Sequence, residues 1–471
     1  MAATLPDRCP PDETPGCAGA SSMVNYSIMH SPAEVPALEK LITRLERFFM
    51  LFLFINPFLD LLAGVYLNLA QTYSLPSITP SLIIRMGVLA LFALYVVLRR
   101  HWRSAMVMVP LAVAWLLSLL GEVIYYYGID LFQDLQYIVR FAFNIAVILV
   151  YALVFKHSGL HRKELFNRLN QALVFAANLL AGSIVLSYIF GMGASTYGDR
   201  FGYRGTRGFF FSGNDITAVL MLLLPMTFCF VYQLSRRAGW KRILWHVAAP
   251  SFTLVALLLI GTKTAFLAIG GAVAAMLGYA IYALIKEKNR LILIRFGWVC
   301  LGFALVFGFL MLISQASLAS DIRKSLTITS SIYADSGLTS TLVSGRQHKL
   351  QKALSMMKKT SPYAFLFGMG RGTQPKVIEM DIFEVMAYYG LFGTVAMLWL
   401  YLKLGLGFVF KAFKRFDLTG LALLCSLGLC VGYLTIAGHV LFSVTSGFYF
   451  ALILLYAQLY YTSSPRKVRV V

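Results

Sequence analysis

Long apolar segments recur along the chain and are separated by shorter polar segments. Each apolar segment is close to the roughly 20 residues that an α-helix needs to cross the hydrocarbon core of a bilayer. Hydrophobicity is continuous within the segments and does not alternate, which favours membrane helices over the strands of a membrane barrel. The pattern predicts about twelve spans, at residues 47–67, 81–98, 105–121, 137–155, 172–190, 215–234, 244–260, 264–285, 291–313, 381–402, 418–436 and 440–461.

The composition agrees with a chain that lies mostly in a bilayer. Of its 471 residues, 59% are apolar and 13% are charged, and its mean hydropathy is +0.74. A water-soluble domain cannot bury so large an apolar fraction. We therefore predict an all-α membrane protein. Its predicted parts are a polar cytoplasmic tail (1–46), helices one to nine (47–313), a large, partly helical extracytoplasmic loop (314–380), helices ten to twelve (381–462) and a basic cytoplasmic tail (463–471).

Lysine and arginine are distributed unevenly between the connections. Every even-numbered connection and both ends of the chain are basic, as in RRHWR (99–103) and KEKNR (286–290), whereas most odd-numbered connections are not. Because cytoplasmic connections carry the excess of lysine and arginine, this pattern predicts that both termini are cytoplasmic. We expect the net charge of +21 to reflect contact with the anionic inner leaflet and not with nucleic acid.

Two odd-numbered connections break this rule. The fifth (191–214) has Arg200, Arg204 and Arg207 against a single acid, and the ninth (314–380) is rich in lysine and arginine. Topology gives no reason for arginine on the outer side, so the pattern predicts an anionic ligand there. Arginine suits a diphosphate because its planar guanidinium binds two oxygens at once and remains charged.

The ninth connection is long enough to contain structure of its own. In SGRQHKLQKALSMMKKTSP the apolar residues recur at helical spacing, which predicts a surface helix that begins near Arg346 and ends before Pro362. A glycine-rich turn, FLFGMGRG, follows and contains Arg371. We expect Arg346 and Arg371 to contribute to the diphosphate site.

Three carboxylates lie at the mouth of the predicted tenth helix, at Glu379, Asp381 and Glu384. An acid at this depth is unfavourable by about a few kcal/mol unless it faces a wet cavity or a cation. We expect Glu379 or Asp381 to accept a proton during catalysis, with His348 as a further candidate.

Other charged and aromatic residues each allow two interpretations. Lys263, in GTKT between the seventh and eighth spans, either extends towards the outer interface or adds a cation to the ligand site. Asp60, inside the first span, is expected to pair with Arg85 or Arg140. Tyr203 suits stacking on a sugar ring, although interfacial aromatic belts explain such residues equally well.

The order of these features resembles the O-antigen ligase and O-antigen polymerase family of bacterial membrane glycosyltransferases, which are of the GT-C type. The features are an arginine-containing loop, RGFFFSGNDITA opening a span, a GTKTAFLA hairpin, a long outer loop and GLFG. The resemblance extends over about residues 50–460 and implies that binding residues lie at matching positions. These are Arg204 or Arg207 with Asn214 after them, Lys263 and Arg346, and we add Arg200 and Tyr203 as substrate-binding candidates.

One position departs from the ligase pattern. Ligases of the family have a histidine followed by Asn, Ser or Gln, then nine residues and a Gly-x-x-Gly sequence, and Gly390 and Gly393 fit that spacing here. Glu379 occupies the histidine position, so we expect a different base and an acceptor other than lipid A core.

The resemblance implies a glycan donor on undecaprenyl diphosphate, a glycan acceptor, and an active site on the extracytoplasmic face of the plasma (inner) membrane. An acceptor hydroxyl attacks the anomeric carbon and the lipid diphosphate leaves, without a metal or other cofactor. We predict a polymerase that joins lipid-linked repeat units into a surface polysaccharide, working beside other polysaccharide-assembly proteins. A ligase for the finished glycan is the first alternative, and a flippase for the same lipid is the second.

Overall fold

The computed structural model shows the chain as a bundle of α-helices. The residues described are 34–73, 79–126, 130–196, 205–235, 237–314, 320, 322–323, 327, 330, 333–334, 346–360, 362–371, 378–438 and 440–462. Contacts divide the chain into residues 1–41 and a compact unit from Ile42 to Val471, and the functional residues discussed below belong to the second unit.

The helices and two short strands follow one another along the chain. In order they are α1 (Glu34–Tyr73), α2 (Pro80–Leu98), α3 (Trp102–Met106), α4 (Val109–Tyr126), α5 (Leu131–His157), α6 (Arg162–Ile189), β1 (Ala194–Ser195), β2 (Thr206–Gly208), α7 (Gly213–Tyr232), α8 (Trp240–Ile260), α9 (Lys263–Ile285), α10 (Arg290–Ile313), α11 (Arg346–Thr360), α12 (Pro362–Phe367), α13 (Asp381–Lys414), α14 (Leu418–Ile436) and α15 (Ser446–Tyr461).

This architecture confirms an all-α, multi-pass membrane protein. Within the residues described, eleven helical segments are long and apolar enough to cross a membrane. The last helix, α15, has 16 residues and is shorter than these segments. The surface helix predicted from residue 346 is also present, as α11.

The first helix differs from its prediction at its polar end. Helix α1 begins at Glu34, inside the segment predicted as a polar tail, and not near residue 47. Its Glu46 is buried, and the carboxylate accepts hydrogen bonds from the Tyr95 hydroxyl at 2.8 Å and from Arg99 at 2.5 Å. This pairing with α2 stabilises a polar helical turn, and hydropathy does not detect it.

Helix α7 lies at the centre of the bundle. Every side chain from Ile216 to Tyr232 is buried, and α7 packs against α6, α8, α9, α14 and α15. Helix α10 instead exposes large apolar side chains such as Leu305 and Leu312. In a bilayer such a face is solvated by lipid tails, which are as apolar as leucine.

The odd-numbered connections meet at one end of the bundle. The Asn68 side-chain amide of α1 donates to the carbonyl oxygen of Phe209, in the α6–α7 connection, at 2.9 Å. The Tyr433 hydroxyl of α14 donates to the carbonyl oxygen of Asn214, at the start of α7, at 2.9 Å. Near the end of α4, a Cβ on Gly121 would lie 3.1 Å from the carbonyl oxygen of Gly368. The candidate functional residues lie at this end.

Candidate active site

Arg207 lies in a small hairpin between α6 and α7, in which β1 and β2 pair antiparallel. Its guanidinium carbon lies 5.7 Å from the ring centre of Phe211. Within the described part of the chain its buried Nε has no hydrogen-bond partner and the side chain forms no ion pair. Burial lowers the pKa of Arg207, because it removes water from the cation. Such a guanidinium is suited to an anionic ligand.

The start of α7 lies against this hairpin. The Ser212 hydroxyl accepts a hydrogen bond from the Asp215 backbone N–H at 3.2 Å and so caps the helix. At the first helical position, a Cβ on Gly213 would lie 3.9 Å from the Arg207 Cβ. Asn214, a predicted substrate-binding residue, comes next in α7 and is half-buried.

Lys263 occupies a tight turn between α8 and α9. Gly261 ends α8 with a φ of 69°, which is a left-handed conformation that favours glycine. The Thr262 hydroxyl then accepts from the Ala265 N–H at 3.1 Å and caps α9. Lys263 is the first residue of α9, and the charge of Arg346 acts on it. The structure therefore brings together two cations that are 83 positions apart in the sequence (346 − 263).

A carboxylate bridges two cations of α11. The Glu379 Oε2 atom accepts from Arg346 Nε at 3.0 Å, and its Oε1 atom accepts from Lys349 Nζ at 2.8 Å. Arg346 and Lys349 lie on one face of α11 because they are three residues apart. The predicted diphosphate ligand Arg346 and the predicted base Glu379 are thus in direct contact.

The backbone of Glu379 is held in an unusual conformation. Its φ is 65°, in the left-handed region that residues with a Cβ rarely adopt. Its N–H donates to the Glu384 side chain at 2.7 Å. On the other side, a Cβ on Gly438 would lie 2.6 Å from the Glu379 carbonyl carbon. These contacts support the strained conformation and direct the Glu379 side chain towards α11.

Arg371 lies in a separate, buried part of the site. Its guanidinium carbon is 4.9 Å from the ring centre of Tyr137 and 5.5 Å from that of Tyr388. Its backbone N–H donates to the buried Asp134 carboxylate at 2.8 Å. Burial acts to lower the pKa of Arg371, but Tyr137, Tyr388 and Glu384 outweigh it and raise the pKa overall. Arg371 therefore remains charged and is surrounded by protein groups.

The glycine-rich turn before Arg371 fits into a break in α13. Gly390 has a φ of 64° and a ψ of −169°, so the helical hydrogen-bond pattern is interrupted there. The N–H groups of Met369 and Gly370 donate to the carbonyl oxygens of Ala387 and Tyr388, at 3.2 and 2.9 Å. Non-helical backbone at membrane depth is tolerated where protein satisfies it, as here, and broken helices often mark binding sites.

Asp381 is engaged with the backbone of the α14–α15 connection. Its Oδ2 atom accepts from the N–H groups of Val440 and Leu441, at 2.6 and 2.7 Å, and the side chain is fully buried. These bonds hold the connection in a non-helical turn. For this reason α15 begins at Ser446, although the apolar pattern predicts a span from residue 440.

The remaining predicted site residues are an exposed residue of α11 and three residues outside the described ranges. His348 is exposed on α11, and it lies two positions from Arg346 and so faces another direction. Arg200, Tyr203 and Arg204 lie outside the described residues.

Several residues of the site were not singled out from the sequence. Asp134 and Tyr137, at the start of α5, hold the Arg371 turn, and Lys349 pairs with Glu379. Acids in the third connection were a usable signal for Asp134, since they are unusual beside a membrane span. Lys349 was one of the many basic residues of the ninth connection, which did not distinguish it, and no local signal pointed to Tyr137.

The intramembrane acid Asp60 has the first of its two expected partners. It forms a buried ion pair with Arg85, not with Arg140. The Thr445 hydroxyl donates to Asp60 at 2.7 Å, and Arg85 also donates to the Asn56 side-chain oxygen at 2.9 Å. This network ties α1 and α2 to the turn before α15.

Fold and site together define a multi-pass helical membrane protein with cations and carboxylates gathered at one end of its bundle. Within the described ranges, no group of three or more His, Cys, Asp and Glu side chains is arranged to hold a metal ion.

The family is shown by comparison with known proteins. The model of O-antigen ligase-like membrane proteins matches residues 43–331 and 329–461, so the chain belongs to that family. No individual curated protein matches the chain. The family is one of membrane glycan ligases and polymerases, and this protein is of that type.

Proposed function

We propose that the protein is a polymerase that joins undecaprenyl-diphosphate-linked oligosaccharide repeat units into a cell-surface polysaccharide such as an exopolysaccharide, a capsule or a teichuronic-acid-like polymer. It acts as a GT-C-like glycosyltransferase in the plasma membrane, without a metal ion. Both termini are cytoplasmic and the site opens on the extracytoplasmic face. The charge pattern of the connections supports this orientation.

The observation that carries the proposal is the environment of the Arg207 guanidinium. A half-buried guanidinium without an ion pair in the described part of the chain, and with a buried nitrogen that has no hydrogen-bond partner, is unfavourable in the free protein. A diphosphate would supply both the charge and the hydrogen-bond acceptors. Stabilising the charge that develops on this leaving group is the largest contribution that the site is able to make to catalysis.

Lys263 and Arg346 complete the proposed diphosphate site. The two cations act on each other electrostatically, and an anion between them would relieve their repulsion. We assign Arg371 a supporting role, because Tyr137, Tyr388 and the glycine-rich turn enclose it. Asn214 follows Gly213, the residue that lies against Arg207, and we propose that Asn214 binds donor sugar or phosphate together with Arg200, Tyr203 and Arg204.

Among the three candidate bases, the geometry favours Glu379. Its side chain is 32% exposed, so an acceptor hydroxyl has access to it. Asp381 is fully buried and already accepts two backbone hydrogen bonds, and His348 faces away from Arg346. In the proposed reaction the acceptor hydroxyl loses its proton to Glu379 and attacks the anomeric carbon, while the lipid diphosphate leaves.

The alternatives differ in what happens to the glycan. A ligase would use the same diphosphate site but transfer a finished glycan once, and Glu379 at the histidine position of the ligases favours a polymerase. A flippase would require cations along a path through the membrane. The described cations of the site instead lie at the ends of helices, in the connections that meet at one end of the bundle.

The deciding experiment incubates the purified protein with lipid-linked repeat units, with and without EDTA, and sizes the products. We expect a ladder of polymer lengths that EDTA does not alter. One transferred glycan per acceptor would support the ligase, and movement of the lipid without a new glycosidic bond would support the flippase.

A further inference from the structure

The two ion pairs that Glu379 forms conflict with its proposed role as a base. A carboxylate that pairs with two cations is weakly basic, because both cations stabilise its charged form. Here both oxygens of Glu379 are used, one by Arg346 Nε at 3.0 Å and the other by Lys349 Nζ at 2.8 Å. Glu379 in this arrangement is poorly prepared to remove a proton from a hydroxyl group.

We propose, building on the function proposed above, that Glu379 is an internal counter-ion which the donor's diphosphate displaces from Arg346 and Lys349. The carboxylate then becomes a competent base only when the donor is bound. Proton removal from the acceptor is thereby coupled to donor occupancy, which protects the activated site from water before the donor arrives.

The geometry allows the diphosphate to bind before the ion pairs break. Glu379 contacts only the Nε atom of Arg346, and within the described residues the two terminal nitrogens of that guanidinium form no hydrogen bond. These two nitrogens are the part of arginine that grips a phosphate with two parallel bonds. The incoming anion therefore has an available contact first and weakens both pairs afterwards.

The release requires movement of the side chain alone. The Glu379 backbone is held by its bond to Glu384 and by the close approach of Gly438, whereas the side chain is 32% exposed. In the Lys349–Glu379 pair both side chains have access to water, and in the Arg346–Glu379 pair the carboxylate does. Ion pairs that water reaches are weak. A dianionic or trianionic diphosphate competes readily with pairs of that strength.

In the proposed step, each bond that forms is matched by one that breaks. The acceptor oxygen forms a bond to the anomeric carbon while the bond from that carbon to the diphosphate oxygen breaks, and the bonding electrons leave with the lipid diphosphate. The acceptor proton moves to the Glu379 carboxylate and later passes to water. When the lipid diphosphate departs, Arg346 and Lys349 pair with Glu379 again.

The test measures binding of geranyl diphosphate to the full-length protein in lipid nanodiscs. Because Glu379→Gln removes the competing charge, we expect affinity to rise about three- to tenfold, while turnover of the lipid-linked donor falls by about a hundredfold or more. Glu164→Gln is the matched control, since it removes the carboxylate of an exposed ion pair with Arg168 elsewhere in the chain. We expect this control to change neither measurement.

A double-mutant comparison separates competition from simple positioning. In a Lys349→Ala background, the gain in affinity from Glu379→Gln should shrink, because one of the contested cations is gone. If Glu379 only positioned Arg346, Glu379→Gln would weaken binding, and that result, or an unchanged affinity, would overturn the counter-ion proposal. Arg346→Ala distinguishes failure of the counter-ion proposal from failure of the diphosphate site on which it rests. If Arg346→Ala also binds geranyl diphosphate normally, the proposed diphosphate site itself fails.

Discussion

Replacing Arg207 with alanine should separate catalysis from stability. Removing an arginine from a buried ion pair leaves the partner's charge unsatisfied and destabilises the protein. Among the described residues Arg207 has neither such a pair nor a hydrogen-bond partner for its Nε. The substitution therefore leaves no buried charge behind.

The expected magnitudes follow from these contacts. The contact with Phe211, at 5.7 Å, is worth about 0.5–1 kcal/mol of stability, and relief of the unpaired nitrogen offsets part of that loss. In catalysis, one contact to the leaving group is worth about 2.7–4 kcal/mol. We therefore expect activity to fall by about 10²–10³-fold, with little change in melting temperature.

The assay measures polymer formation from lipid-linked repeat units, alongside thermal unfolding of the same purified samples. Arg207→Lys keeps the charge but loses the two-pronged geometry, so we expect it to recover only part of the activity. Arg168→Ala is the control, because Arg168 is 45% exposed and pairs with Glu164 within α6. It should leave both activity and melting temperature close to wild type.

Two outcomes would refute this reasoning. A large drop in the melting temperature of Arg207→Ala would show that Arg207 has a structural partner. Full activity in a stable Arg207→Ala protein would show that Arg207 does not bind the leaving diphosphate.

Further predictions concern stability, the turn and the orientation of the chain. Asp60→Asn leaves its arginine partner charged and buried, so we expect it to destabilise the protein by about 3–5 kcal/mol; Glu164→Gln, at an exposed pair, should cost less than about 1 kcal/mol in the same thermal unfolding assay. Gly368→Ala should abolish activity and lower the melting temperature, because a Cβ there would lie 2.1 Å from the backbone carbonyl oxygen of Tyr388, whereas Gly159→Ala also has a positive φ but open space; equal effects would contradict the packing argument. A cysteine at exposed Ser195 should react with a membrane-impermeant maleimide in intact cells, and a cysteine at exposed Gly159 only after lysis; the reverse pattern would place the site in the cytoplasm.

Local patterns in the sequence were sufficient for the class of fold. Continuous hydrophobicity over the length of a bilayer predicts a helix wherever it occurs, because an unsatisfied backbone is excluded from lipid. The helix from Arg346 was likewise readable from its apolar spacing and its proline stop. Boundaries were predicted less well where distant residues decide them, as at Glu34 and Ser446.

The sequence predicts candidate site residues by their types but not the pairings between them. Arginine in odd-numbered connections indicated an anionic ligand, and the contacts between those connections bring Lys263 close to Arg346. The sequence offered both Glu379 and Asp381 as candidate bases. Tertiary structure distinguishes them, because the α14–α15 turn occupies Asp381 while Glu379 remains partly exposed beside two cations.

The sequence by itself therefore determined the class of fold and which kinds of charged group lie in the connections, and it predicts which connections share a side. Only the tertiary structure decided that Arg207 has no pair among the described residues, that Asp60 pairs with Arg85, and that Gly390 opens a helix to receive the glycine-rich turn. The physical reason is the separation along the chain over which each kind of interaction acts. Hydropathy acts over one helix, whereas an ion pair or a backbone hydrogen bond depends on side chains that packing brings together from distant parts of the chain.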